Sequence, residues 1–76
     1  MASKRRKFVL YTNPNNVTNK AYMADGAYSA NQVLNSARTY PDSYTILFTG
    51  MGNDEAIQKA KEPFSSFEFV YSYNNL

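Results

Sequence analysis

Phe8, Val9, Leu10 and Tyr11 open the patterned part of the chain, and the run stops where Asn13-Pro14-Asn15-Asn16 supplies residues that favour turns. A strand over residues 8–12 followed by a turn is predicted. Residues 17–23 then alternate loosely, with Val17, Ala21 and Met23 on one side and Thr18, Lys20 and Tyr22 on the other, which suggests a return strand ending at Asp25-Gly26. Ser29 with Gln32 three positions on fits a capping box, and Ala30, Val33, Leu34 and Ala37 follow at helical spacing. Asn31, Asn35, Ser36 and Arg38 are left for solvent. Pro41 ends this helix because the residue before a proline resists helical dihedrals.

Tyr44, Ile46 and Phe48 alternate with Thr45, Leu47 and Thr49, as expected of an interior strand with at least one well-buried face. Gly50-Met51-Gly52 breaks that pattern, and Asn53 is placed to cap a short helix with Asp54 and Glu55 in its first turn and Lys59 and Lys61 in its last. Pro63 stops it. Phe67, Phe69, Tyr71 and Tyr73 then alternate with Glu68, Val70 and Ser72, giving a final strand with a wholly aromatic face. The expected fold is α+β: a single-domain sheet of three or four strands with two helices on one face, in the order β(β)αβαβ.

A chain of 76 residues is one domain, close to the size below which a single apolar core needs reinforcement. No cysteine is present, so disulfides and sulfur-bound zinc are excluded, and aromatic rings, five Phe and seven Tyr, are the reinforcement on offer. Histidine is absent too, which removes the usual neutral-pH proton shuttle and the commonest metal ligand. The remaining acids have local explanations: Asp54 and Glu55 suit a first helical turn, while Asp25 and Asp42 sit beside Gly26 and Pro41 in turn contexts. Gly50-x-Gly52 lies between a strand and a helix as a dinucleotide-binding turn would, but Asp54 and Glu55 would oppose a phosphate there. No catalytic, cofactor or metal residue is assigned, and no enzyme activity is expected. No apolar stretch approaches bilayer length, the basic start precedes too short an apolar run for a signal peptide, and Asn16-Val17-Thr18 reads as a polar turn rather than a glycosylation site. A cytoplasmic, non-membrane protein is expected.

Charge changes the picture at one place. Lys4, Arg5, Arg6 and Lys7 are consecutive, while the rest of the chain holds four cations against six carboxylates, so the net charge of +2 comes from this segment. Residues 1–7 are read as a basic, flexible arm and residues 8–76 as the domain, with Lys4, Arg5, Arg6 and Lys7 as candidate phosphate contacts on nucleic acid. Phe67-x-Phe69-Val70 resembles a fragment of the aromatic motif of RNA-recognition domains over three positions, although Glu68 replaces its small residue and Ser65-Ser66 its basic-glycine pair. A row of rings on one strand is also what a core layer beneath helices requires. Tyr11, Tyr22, Tyr28, Tyr71 and Tyr73 are the candidate contacts with a protein partner, since amphipathic rings give interface area at low entropic cost. The expectation is a small binding protein that regulates or inhibits a macromolecular partner, most plainly a protein, as phage-type accessory inhibitors of that size do. The alternative is nucleic-acid binding through the arm, and the terminal strand offers an edge for a homodimer.

Overall fold

Strand side chains point alternately to the two faces of a sheet, so four apolar residues in a row can all be buried only in a strand covered on both sides. The computed structural model describes residues 4–13 and 19–71, and there Phe8, Val9, Leu10 and Tyr11 are all buried in the first strand, β1 (Arg6–Thr12). The chain continues as β2 (Lys20–Asp25), α1 (Ala27–Thr39), β3 (Thr45–Gly52), α2 (Asp54–Lys61) and β4 (Glu68–Tyr71). The four strands form one mixed sheet in the order β3-β1-β2-β4. β1 pairs antiparallel with β2 and with β3, and β4 lies parallel to β2. The α+β class and the element order are those expected.

The helices do not share a face. Val9, Tyr11 and Ala24 pack with Ala30 and Val33 of α1, whereas Phe8, Leu10 and Met23 pack with Ile57 of α2. Val9 and Phe8 are neighbours on β1 and so point to opposite sides. Chain direction explains the difference. β2, β3 and β4 are mutually parallel; α1 carries the chain across the sheet from β2 to β3, and α2 carries it back to β4. Two crossovers of one hand running in opposite directions must lie on opposite faces. The sheet is therefore sandwiched, and two small clusters share β1 as their common wall.

Several boundaries move for local reasons. α1 starts at Ala27, not at a Ser29 cap: Gly26, with φ of 106°, is its N-cap and no side chain caps it, while the Ala30 amide donates to the Gly26 carbonyl at 2.9 Å. A φ in that range suits glycine. The helix ends at Thr39, ahead of Pro41, as expected. β3 runs through Gly50 and Gly52 instead of stopping at them, and it is an edge strand rather than an interior one. A Cβ on Gly52 would run into the Cβ of Ala56, so that glycine serves the approach of α2 and not a turn. Asn53 does cap α2, its Oδ1 accepting from the Ala56 amide at 3.0 Å. The turn expected at 13–16 beyond Asn13, the Asn16-Val17-Thr18 sequon and Tyr73 lie outside the described residues.

Candidate interaction surface

Because β1 is antiparallel to β2 and β3, it begins at the end of the sheet where those strands finish and where both helices start. The basic segment is thus brought beside Asp25 and Asp54. Arg6 is part of β1, and its guanidinium reaches Asp25 twice, Nε to Oδ1 at 2.6 Å and Nη2 to Oδ2 at 2.8 Å, and Asp54 Oδ1 once at 2.6 Å. Its Nη1 also donates to the Lys4 carbonyl at 2.9 Å. The hydrogen bonds to Asp25 and then Asp54, followed by their Coulombic attraction, raise its pKa further above the ordinary arginine value. Lys7, on the opposite face of β1, donates to Asn31 Oδ1 of α1 at 2.8 Å. Arg6 and Lys7, expected in a flexible arm over residues 1–7, are anchored strand residues. Among the described residues, Arg6 alone of the four cations pairs with a carboxylate; Lys4 and Arg5 are exposed.

The tyrosines separate by position. Tyr11 is a core residue, stacked on Tyr22 at 5.5 Å and tilted against Tyr44 at 5.6 Å between ring centroids, so it drops out of the contact set. Tyr22 is half-buried against the same cluster. Tyr28, in the first turn of α1, is 79% exposed at the cationic end of the sheet, and Tyr71 is exposed on the β4 edge. Phe69 lines the α2-side cluster, and half-buried Phe67 meets it edge-on at 6.5 Å.

The feature absent from the sequence reading is the outer edge of β3. Thr45–Gly52 contains no charged residue, and Thr45, Phe48, Thr49 and Met51 are exposed along it. Phe48 lies over Gly50, where a Cβ would come within 3.1 Å of the ring, and stacks on Phe8 at 5.6 Å, yet 41% of it stays exposed. Met51 is 62% exposed on the other face. The backbone orientation follows from the hairpin: the Gly26 amide donates to the Lys7 carbonyl at 2.9 Å, so Lys7 and Val9 turn their backbone groups toward β2, and Phe8 and Leu10 turn theirs toward β3. Their partners Gly50 and Phe48 point back to β1. Thr49 and Met51 therefore aim their N–H and C=O groups out of the sheet. The absence of charge between Tyr44 and Gly52 was the available signal, since edge strands usually carry charge or proline as protection.

Among the described residues no group of three or more acids converges as a metal site would need, and no helix is long and apolar enough to cross a membrane. The chain matches no family model, no curated protein and no solved structure.

Proposed function

We propose that the protein is a small cytoplasmic binding module, acting without chemistry of its own, that regulates or inhibits a protein partner by accepting an extended partner segment along β3. The supporting observation is an eight-residue, uncharged edge strand whose Thr49 and Met51 backbone groups face outward beside exposed Phe48 and Met51 side chains. Strand addition to such an edge gives affinity through main-chain hydrogen bonds and selectivity through side chains on both faces. Thr49→Pro tests it: proline removes an outward donor, which an edge strand tolerates, and leaves the ladder to β1 intact. In a pull-down comparing folded wild type with Thr49→Pro, a partner retained by the first and lost by the second is the expected result. Equal retention by both refutes docking on β3.

Nucleic-acid binding is the second reading, favoured by Lys4, Arg5 and Lys7 standing at the same end as exposed Tyr28. Arg6 is occupied by Asp25 and Asp54, so about three phosphate contacts remain, corresponding to a slope of about −2.7 for log affinity against log salt on duplex DNA. Salt-independent binding would exclude it.

A further inference from the structure

We infer that the segment accepted by β3 is acidic at the end that lies beside Gly52; this rests on the strand-docking reading above. In the β1–β3 register Arg6 stands opposite Gly52 and Lys7 opposite Met51, and Lys4 and Arg5 precede them, so the cations flank one end of the open edge. β3 itself supplies no carboxylate to meet them. Of the acids at that end Asp25 and Asp54 are engaged by Arg6, and exposed Glu55 in the first turn of α2 still leaves Lys4, Arg5, Arg6 and Lys7 in excess over the three carboxylates. Lys7 and Met51 share the α1 side of the sheet, as their opposed register requires. An added strand thus meets a long uncharged track carrying Phe48 on one face and Met51 on the other, with an excess of cations at one end.

A second copy fits this edge less well. Two β3 strands related by a twofold axis must oppose residues that point to the same face. Leu10 pairs with Phe48 and Tyr11 with Ile46, so Leu47 is an extra residue that shifts the face of everything before it. Phase is preserved only from Phe48 to Gly52, and symmetric pairing centred on Gly50 spans about 17 Å of strand. It also lays the uncharged residues 45–48 of the second copy toward Lys4, Arg5 and Lys7. A foreign segment is bound by neither restriction.

The test is fluorescence anisotropy with the full chain and two labelled ten-residue peptides of alternating valine and threonine, one with a glutamate pair at each end and one with a lysine pair at each end. At low salt the glutamate peptide is expected to bind about tenfold more tightly, the sum of a few exposed charge pairs. Lys4→Ser/Arg5→Ser removes that preference while leaving the fold unchanged, and Thr49→Pro, or Met51→Pro should the first misfold, abolishes binding of both peptides. Equal binding of the two peptides that Thr49→Pro still abolishes overturns the acidic partner and leaves strand docking standing. Binding that survives in both folded proline variants overturns the docking reading itself. A ten-nucleotide oligothymidylate that binds more tightly than the glutamate peptide, and equally to Thr49→Pro, overturns the proposal in favour of nucleic acid. A mass that doubles at micromolar concentration in wild type and not in Thr49→Pro assigns the edge to a second copy and overturns it likewise.

Discussion

Replacing Arg6 with methionine keeps most of the apolar stem and removes the guanidinium that holds β1, the end of β2 and the start of α2 together. The two carboxylates will not respond equally. Asp25 is gripped by two hydrogen bonds, and the paired side chains are only 23% and 17% exposed, so its interaction with Arg6 falls among charge-assisted bonds worth about 1.5–3 kcal/mol. Asp54 accepts one bond from Arg6 and is 69% exposed, which puts this pair with surface pairs worth about 0.2–1 kcal/mol. Arg6→Met is therefore expected to cost about 2 kcal/mol, because it also leaves Asp25 as a half-covered charge without its counterion. For a domain of this size that lowers the melting midpoint by about 8–16 °C. Urea unfolding at neutral pH, followed by far-ultraviolet circular dichroism, measures it. Double-mutant cycles with Asp25→Asn and Asp54→Asn then apportion the loss, and Asp25 is expected to carry most of the coupling. A cost below about 0.5 kcal/mol for Arg6→Met, or equal coupling to the two acids, refutes the account of the clamp.

Asn53→Ala deletes the α2 cap and is expected to cost about 1 kcal/mol in the same urea assay. Gly52→Ala drives a methyl group into Ala56 and should cost about 1–3 kcal/mol, with a matching fall in midpoint; Gly52→Ala combined with Ala56→Gly recovers part of that loss. Gly26→Ala meets open space, but the φ of 106° strains it, so a loss of about 1–3 kcal/mol is expected, and a neutral result would mean that the hairpin-to-helix junction readily readjusts.

Residues with purely local reasons were legible in the sequence. Asn53, the acidic first turn of α2 and the stops imposed by Pro41 and Pro63 behave as their chemistry dictates. Ser29 and Gln32 misled because a capping pattern is only a spacing, and the glycine that starts α1 earlier shows its positive φ only in three dimensions. Gly50 and Gly52 resembled a break because their reasons are tertiary: one lies under Phe48 and the other against Ala56. The exchange of central and edge roles has a similar origin. The alternation in β3 is crossed by the irregularity at Leu47, so Ile46 joins the α1-side cluster while Leu47 joins the α2-side one, whereas the unbroken run in β1 marked the strand covered on both faces. Of the candidate site, the cations were visible but their division was not, because the partners of Arg6 lie 19 and 48 residues away in sequence.

Since both apolar clusters are built on β1, neither helix can detach without uncovering a wall that the other layer also needs. Loss of one layer is then tied to loss of the whole, and the chain should melt as a single cooperative unit despite its sandwich plan. Amide hydrogens of Val9 and Leu10 should accordingly exchange with solvent only through global opening, whereas the outward amides of Thr49 and Met51 exchange quickly until an incoming strand covers them. The slow protons of β1 and the fast ones of β3 thus sit on adjacent strands, so one exchange experiment reads both the stability of the fold and the occupancy of this edge.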